Sequence, residues 1–208
     1  MQNCRDKLIQ GLEVLGLAVS EVQREQLLGF IQLIAKWNKA YNLTAVRDPL
    51  EMVSLHLLDS LAILPYVKPP RVADIGTGAG LPGIPLAICM PECHFTLVDS
   101  NSKKTRFVRQ AVFELKLKNV EVVHGRAEMI NPELLFSTVT SRAFASMQDI
   151  LQWTGHLLAD DGMLLAMKGQ IPQQELAQLN SDYNIIPLKV PGIEAERCLI
   201  CMEKNKHG

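Results

Sequence analysis

The residues best placed to do chemistry are Asp74-Ile75-Gly76-Thr77-Gly78-Ala79-Gly80-Leu81-Pro82-Gly83, a carboxylate followed by closely spaced glycines, between a short β-rich run and a helical stretch. Ligands of parallel α/β sheets sit beyond the carboxyl ends of the strands, where glycine lets the backbone approach closely. Two phosphate-binding patterns fail here. Counting from Gly76, G-x-G-x-x-G needs glycine where Leu81 stands, and the P-loop spacing of Gly78 and Gly83 runs into Ile84 and Pro85 instead of Lys and Ser or Thr. Asp99 follows Gly76 by 23 residues. A carboxylate about 20 residues past the glycines accepts hydrogen bonds from the ribose hydroxyls of an adenosine and rejects a phosphorylated ribose. The plainer alternatives are a tight turn with no ligand and, for Asp99, a cap on the helix that starts near Ser102.

Other reactive side chains carry weaker patterns. His56, Asp59 and Ser60 are hydrolase ingredients, but they share one helix and no G-x-S-x-G elbow exists, so packing or a polar network is expected of them. Cys198 and Cys201 have zinc-like spacing, yet residues i and i+3 of a strand point to opposite faces. Cys89 and Cys93, followed by His94, form at most half a metal site, and no metal is expected. Trp37 and Tyr41 suit either base stacking or burial at the end of an amphipathic helix.

The elements that must position these groups fall into two regions. Leu8, Leu12 and Leu15 mark one helix. Ser20 with Gln23 forms a capping box that opens a second, carrying Leu27, Phe30, Ile31, Ile34 and Trp37 and ending just before Asn42. Asp48, Pro49 and Glu51 start a third that should run to about Leu64. Pro65, Pro69 and Pro70 separate this N-terminal helical extension, residues 1–68, from a main domain over residues 69–208. There, strands expected at 71–75, 94–98, 120–124, 138–141 and 163–167 alternate with helices, the pattern of an α/β parallel sheet covered on both faces. Two further runs, 184–190 and 197–203, pair as an antiparallel C-terminal hairpin.

The composition limits the classes open to such a chain. Its 208 residues suit one large domain with a modest extension, and 48% hydrophobic with 21% charged residues excludes intrinsic disorder. No run of 18 apolar residues appears, and Arg5, Asp6 and Lys7 occupy the place of a signal-peptide core, so a cytoplasmic protein without a membrane span is expected. Five cysteines, an odd number, fit free thiols in a reducing compartment. The net charge is −1, but residues 101–118 hold six basic side chains against Glu114. Taken alone, that run is a solvated helix face.

Several elements together resemble one family. Trp37-Asn38-Lys39, Tyr41-Asn42-Leu43-Thr44, His56-Leu57-Leu58-Asp59-Ser60, the loop from Gly76 to Gly83, Ser141-Arg142-Ala143-Phe144 and Lys168-Gly169 are similar to the bacterial 16S ribosomal RNA guanine-N7 methyltransferases, also called glucose-inhibited division protein B. The resemblance implies a Rossmann-like class I methyltransferase fold. It also implies transfer of a methyl group from S-adenosyl-L-methionine, leaving S-adenosyl-L-homocysteine, to N7 of one guanine near the decoding centre. The implied cofactor residues are Asp74, Gly76, Gly78, Gly80, Leu81, Asp99, Ala127, Glu128 and Arg142, with Arg142 and Lys168 as candidate catalytic residues. The implied partner is 16S rRNA in the small ribosomal subunit or an assembly intermediate. A methyltransferase for a small molecule or protein, and a non-catalytic adenosine-binding regulator, are the alternatives.

What the sequence lacks agrees with this chemistry. Guanine N7 has an available lone pair, so attack on a sulfonium methyl needs alignment more than a strong base. Cytosine-C5 chemistry needs a nucleophilic cysteine, and the fourth and fifth strand ends read Ser141-Arg142-Ala143 and Lys168-Gly169. The Asn or Asp, Pro, Pro, aromatic run of amine methyltransferases is missing as well. With the family in view, Lys103, Lys104, Arg106 and Arg109 are read as RNA contacts flanking the cofactor pocket.

Overall fold

The computed structural model describes residues 1–142, 145–179 and 181–204. Helix α1 (Gln2–Val14) is followed by α2 (Glu21–Tyr41). The expected capping box opens α2: the Gln23 amide donates to Ser20 Oγ at 3.3 Å, and the Ser20 amide donates to Gln23 Oε1 at 2.9 Å. Asn42 closes the helix in the left-handed region, at φ 48°. The Asn38 side chain then ties down the turn. It donates to the carbonyls of Thr44 and Val46 at 3.0 and 3.1 Å and accepts from the Thr44 amide at 3.0 Å.

Asp48 caps the third helical segment, with Pro49 in its first turn. The single helix expected to run to about Leu64 is instead interrupted: α3 (Pro49–Met52) widens into a π-helical stretch, Val53–Leu58, before α4 (Asp59–Leu61). The Asp59 amide reaches back five residues to the Ser54 carbonyl. Such wide turns recur at functional sites.

The sheet has seven strands: β1 (Arg71–Ile75), β2 (His94–Asp99), β3 (Val120–His124), β4 (Phe136–Arg142), β5 (Leu158–Lys168), β6 (Asn184–Pro187) and β7 (Cys198–Glu203). Their order is β3-β2-β1-β4-β5-β7-β6. Strands β1 to β5 run parallel, while β7 is antiparallel to both β5 and β6. The α/β fold with a C-terminal antiparallel hairpin is therefore present. Several details differ from expectation: β6 ends at Pro187 instead of running to 190, and β4 spans Phe136–Arg142 instead of 138–141. β5 starts at Leu158, ahead of Met163, across a register shift against β4, and β3 is joined to β4 through a short 3-10 turn, Ala127–Met129, instead of a full helix.

The order reverses between β1 and β4, which opens a crevice at their carboxyl ends. Helices α5 (Gly83–Cys89), α6 (Ser102–Glu114), α7 (Met147–Thr154) and α8 (Gln173–Leu176) complete the layers. One core cluster unites side chains of α1, α2, the π-helical stretch, α5 and α6 with one sheet face, and a second unites α7 and α8 with the other. Trp37 lies 5.9 Å from the Phe107 ring and 5.0 Å from Tyr41, so the aromatic pair packs onto α6. No helix among the described residues is long and apolar enough to cross a membrane. All five cysteines are unpaired.

Candidate active site

The glycine loop is built around Asp74. Its carboxylate is fully buried; Oδ2 accepts from Thr77 Oγ1 at 2.6 Å and the Gly83 amide at 2.9 Å, and Oδ1 from Thr140 Oγ1 at 3.2 Å. Burial pushes its pKa up to about 6, against the pull of those three hydrogen bonds. Asp74 thus lies beneath the loop, lines none of the three cavities along the strand ends, and holds the loop backbone through Thr77 and Gly83. Above it the loop turns through Gly76, Gly78 and Gly80 at φ 70°, 59° and 84°, a region that strains any residue with a Cβ.

Asp99 ends β2 beside this loop. Its Oδ2 accepts from the Gly78 amide at 2.8 Å and its Oδ1 from the Asn101 amide at 2.7 Å. Asp99 does not cap α6; Asn101 does, accepting from the Lys103 and Lys104 amides. Each carboxylate oxygen of Asp99 keeps a lone pair for another donor.

Three adjoining cavities run along the strand ends. The first, of about 280 Å³, is lined by Gly76, Asp99, Ser100, Ala127, Glu128 and Trp153 among others. The second, of about 510 Å³, shares Gly76, Asp99 and Ser100 with it and continues past Gly78, Leu81 and Lys104 to Thr44, His56 and Arg142. The third, of about 360 Å³, shares His56 and Arg142 with the second and adds Asp59, Lys168, Gly169 and Arg197. The three form one groove, with Asp99 at the first junction and Arg142 at the second.

The second junction is polar and largely buried. Arg142 Nη1 donates to the Leu55 carbonyl and to Asp59 Oδ2, each at 3.2 Å, and Arg197 Nε donates to Asp59 Oδ1 at 3.0 Å. Lys168 Nζ donates to the Ala145 carbonyl at 2.8 Å and reaches Glu175 at 3.4 Å. Ser60 Oγ donates to the His56 carbonyl. Asp59 and Ser60 thus belong to a polar network, as expected. The His56 ring does not: it is buried, and neither ring nitrogen has a hydrogen-bond partner among the described residues. An unmet buried polar group costs about 1–3 kcal/mol, so this one calls for an explanation. Burial holds the imidazole pKa down at about 4; the Arg142 charge adds to the shift, and the Leu55 backbone and Asp59 oppose it.

The groove gathers Gly76, Gly78, Leu81, Asp99, Ala127, Glu128, Arg142 and Lys168 from the expected set. Gly80 shapes the loop without lining any of these three cavities. Lys104 borders the second cavity, while Lys103, Arg106 and Arg109 are exposed along α6, Arg109 donating to the Val122 carbonyl at 3.2 Å. Ala143 and Phe144 lie outside the described residues. Ser100, Trp153, Thr44 and Arg197 were not anticipated. Among the described residues, no group of three or more His, Cys, Asp or Glu could hold a metal ion.

Comparison with known proteins agrees with this geometry. Residues 23–200 match the sequence profile of the family described as rRNA small subunit methyltransferase G, or GidB. Among relatives of that name, one from Marinobacter nauticus is 52% identical over 95% of this chain and 94% of its own length, and one from Pseudomonas aeruginosa is 49% identical over 98% and 97%. A solved SAM-dependent methyltransferase from Aquifex aeolicus superposes with a TM-score of 0.58, at 17% identity, over 76% of this chain and 94% of that one, a likeness of fold. The chain belongs to the rRNA small subunit methyltransferase G family.

Proposed function

We propose that this protein transfers the methyl group of S-adenosyl-L-methionine to N7 of one guanine of 16S rRNA near the decoding centre, acting on the small subunit or an assembly intermediate of it. The observation that carries the reading is the continuity of the groove, in which an adenosine-sized site around Asp99 opens, past Arg142, into a cationic cavity.

The residues present fit the cofactor. Asp99 retains acceptor capacity toward a ribose diol, and a Cβ on Gly78 would meet nothing closer than 3.8 Å, so it would fill the second cavity instead of packing against protein. Asp99 holds the ribose, Gly76 and Gly78 admit the ligand against bare backbone, and Ala127 and Glu128, with Trp153 opposite, flank the adenine. When bound, S-adenosyl-L-methionine supplies an electrophilic methyl on a sulfonium.

The acceptor base enters the second cavity, where Arg142 orients it and Lys168 adds a cationic contact beyond. N7 attacks through its in-plane lone pair, so the chain has to align it and exclude water, with no proton to remove from N7. The groove agrees, since His56 is held weakly basic and Asp59 is tied to two arginines. Lys103, Lys104, Arg106 and Arg109 supply phosphate contacts along α6.

The test incubates the purified protein with S-adenosyl-L-methionine and small subunits from cells lacking it, then maps 7-methylguanine by borohydride and aniline cleavage of the rRNA. One new cleavage site near the decoding centre is expected. No site on mature subunits, assembly intermediates or free rRNA, with cofactor binding intact, would overturn the reading.

A further inference from the structure

The third cavity has a charge pattern that the alignment of N7 does not require. Arg142 and Arg197 converge on one carboxylate, that of Asp59, from opposite oxygens. One carboxylate balances one guanidinium, so this trio keeps a surplus positive charge. Lys168, on the same cavity, is matched by Glu175 at 3.4 Å, and His56 contributes no charge near neutral pH. An isolated structural ion pair would need only one arginine; a second on the same buried carboxylate leaves one positive charge without a counter-charge inside the trio.

The surplus faces outward. The Asp59 side chain is 6% exposed, whereas those of Arg142 and Arg197 are 22% and 24% exposed where they line the cavity. Asp59, Leu55 and the Glu196 carbonyl occupy Arg142 Nη1 and Arg197 Nε and Nη1. None of the hydrogen bonds among the described residues uses Nη2 of either arginine, so each keeps that amino group for a ligand at the cavity both residues line. Guanidinium donors on a fixed anchor are suited to phosphate oxygens, with shorter and stronger hydrogen bonds than a neutral pair makes.

We infer that this cavity is a phosphate subsite, in which Arg142 and Arg197, aligned by Asp59, bind a phosphodiester of the RNA nucleotide whose base occupies the second cavity. The proposal rests on the reading of the substrate as RNA. A nucleotide's base and phosphate are separated by one ribose, and the two cavities share Arg142 and His56, so one nucleotide can span both. Asp59 is a positioning residue: it fixes the guanidinium planes and prevents the two like charges from swinging apart. The sequence distance from Asp59 to Arg197 is 138 residues, so the subsite exists only once the C-terminal hairpin has docked beside β5.

The test is calorimetric binding of guanosine 5′-monophosphate and of guanosine to the full-length protein loaded with S-adenosyl-L-homocysteine, with a salt titration of 16S rRNA binding in parallel. Wild type should prefer the monophosphate by about tenfold, the equivalent of one charge-assisted hydrogen bond. Arg197→Ala should bring that preference to within about twofold, leave guanosine and S-adenosyl-L-homocysteine affinity unchanged, and lower the rRNA salt slope by about 0.7–0.9, the contribution of one phosphate. Arg197→Lys, which keeps the charge and loses the guanidinium's additional donors, should fall between and serves if the alanine variant does not fold. A monophosphate preference and salt slope unaltered in either variant overturn the subsite. Loss of the monophosphate preference with an unchanged rRNA slope also overturns it, because the cavity then serves free nucleotides. A preference that responds as expected, in a protein that methylates no rRNA, would refute the methyl-transfer reading and leave the subsite standing.

Discussion

The Gly78 amide donates to Asp99 Oδ2 at 2.8 Å across 21 residues of sequence, so the glycine loop after β1 and the acid at the end of β2 are one hydrogen-bonded unit. Under the proposed reading, the residue that receives the ribose also holds the backbone against which the ribose would lie. Asp99→Ala therefore loses ligand hydrogen bonds and loop placement together. Its affinity for S-adenosyl-L-homocysteine, by calorimetry, should fall at least about a hundredfold, because two charge-assisted hydrogen bonds contribute about 3 kcal/mol or more. Asp99→Asn, which keeps one acceptor, should lose less. Equal affinities in all three proteins would place the ribose elsewhere.

Arg142→Ala should abolish methyl transfer to the small subunit while S-adenosyl-L-homocysteine binding changes by no more than a few fold. The guanidinium borders the second cavity away from Asp99, and its bonded partners are Leu55 and Asp59. Single-turnover transfer with saturating cofactor separates the two effects, and full transfer by the variant would remove Arg142 from base orientation.

Two buried groups set opposing pH dependences. Asp74 has its pKa raised to about 6, so the folded state binds the proton more tightly than the unfolded chain, and this group's stability contribution falls as pH rises between about 4 and 6. His56 has its pKa lowered to about 4; the unfolded chain binds that proton more tightly, and stability is lost as pH falls from about 6.5 to 4. Each amounts to about 3 kcal/mol, and in the shared window they oppose each other. Relative to wild type, urea unfolding of Asp74→Asn should therefore show stability rising more steeply with pH between 4 and 6, and His56→Gln should show it falling. Parallel profiles for all three proteins would contradict both assignments.

Gly83 allows the loop to close over Asp74. A Cβ there would clash with Leu97 Cδ2 and come within 2.8 Å of Asp74 Oδ2. Gly83→Ala should cost about 1–3 kcal/mol in chemical denaturation, the usual range for overpacking. Gly155, where a Cβ would meet nothing within 4 Å, is the control, and Gly155→Ala should change stability by less than about 0.5 kcal/mol.

Replacing Lys103 and Lys104 with alanine should flatten the salt dependence of rRNA binding by about 1.4 to 1.8 in slope, two phosphates' worth. Measured binding between low and moderate salt decides it, and an unchanged slope returns this end of α6 to a solvated face.

Much of this was legible locally. The Ser20 capping box, the end of α2 before Asn42 and the bounds of β1 and β3 follow from spacing within one element, and the hairpin pairing from the two runs that flank Pro191-Gly192. The glycine loop was legible as well, because its glycines and the two flanking carboxylates lie on consecutive β-α units. What escaped depends on contacts between distant segments. Asp59 meets Arg197 only after the whole sheet has formed, and Trp153 reaches the first cavity from a helix on the opposite sheet face. The direction in which Asp74 turns escaped for a related reason: a strand-end acid can face the cleft or the loop, and the fully buried bonds to Thr77, Gly83 and Thr140 turn it to the loop.

The wide turn at Val53–Leu58 gives the chain an unusual vulnerability. A π-helical stretch winds more widely than the α-helix it interrupts, and here it carries His56 itself and ends just before Asp59. Removing any one residue from it would restore regular winding and turn the flanking side chains against each other by about 100°, the angle of one α-helical step. The loops around the sheet can absorb a change in length. Inside this helix a one-residue deletion should rotate the buried faces of α3 and α4 out of register, and with them the approach of Asp59 to Arg142 and Arg197. Counting of residues is thus strictest at a place where, on ordinary grounds, a helix should be indifferent to it.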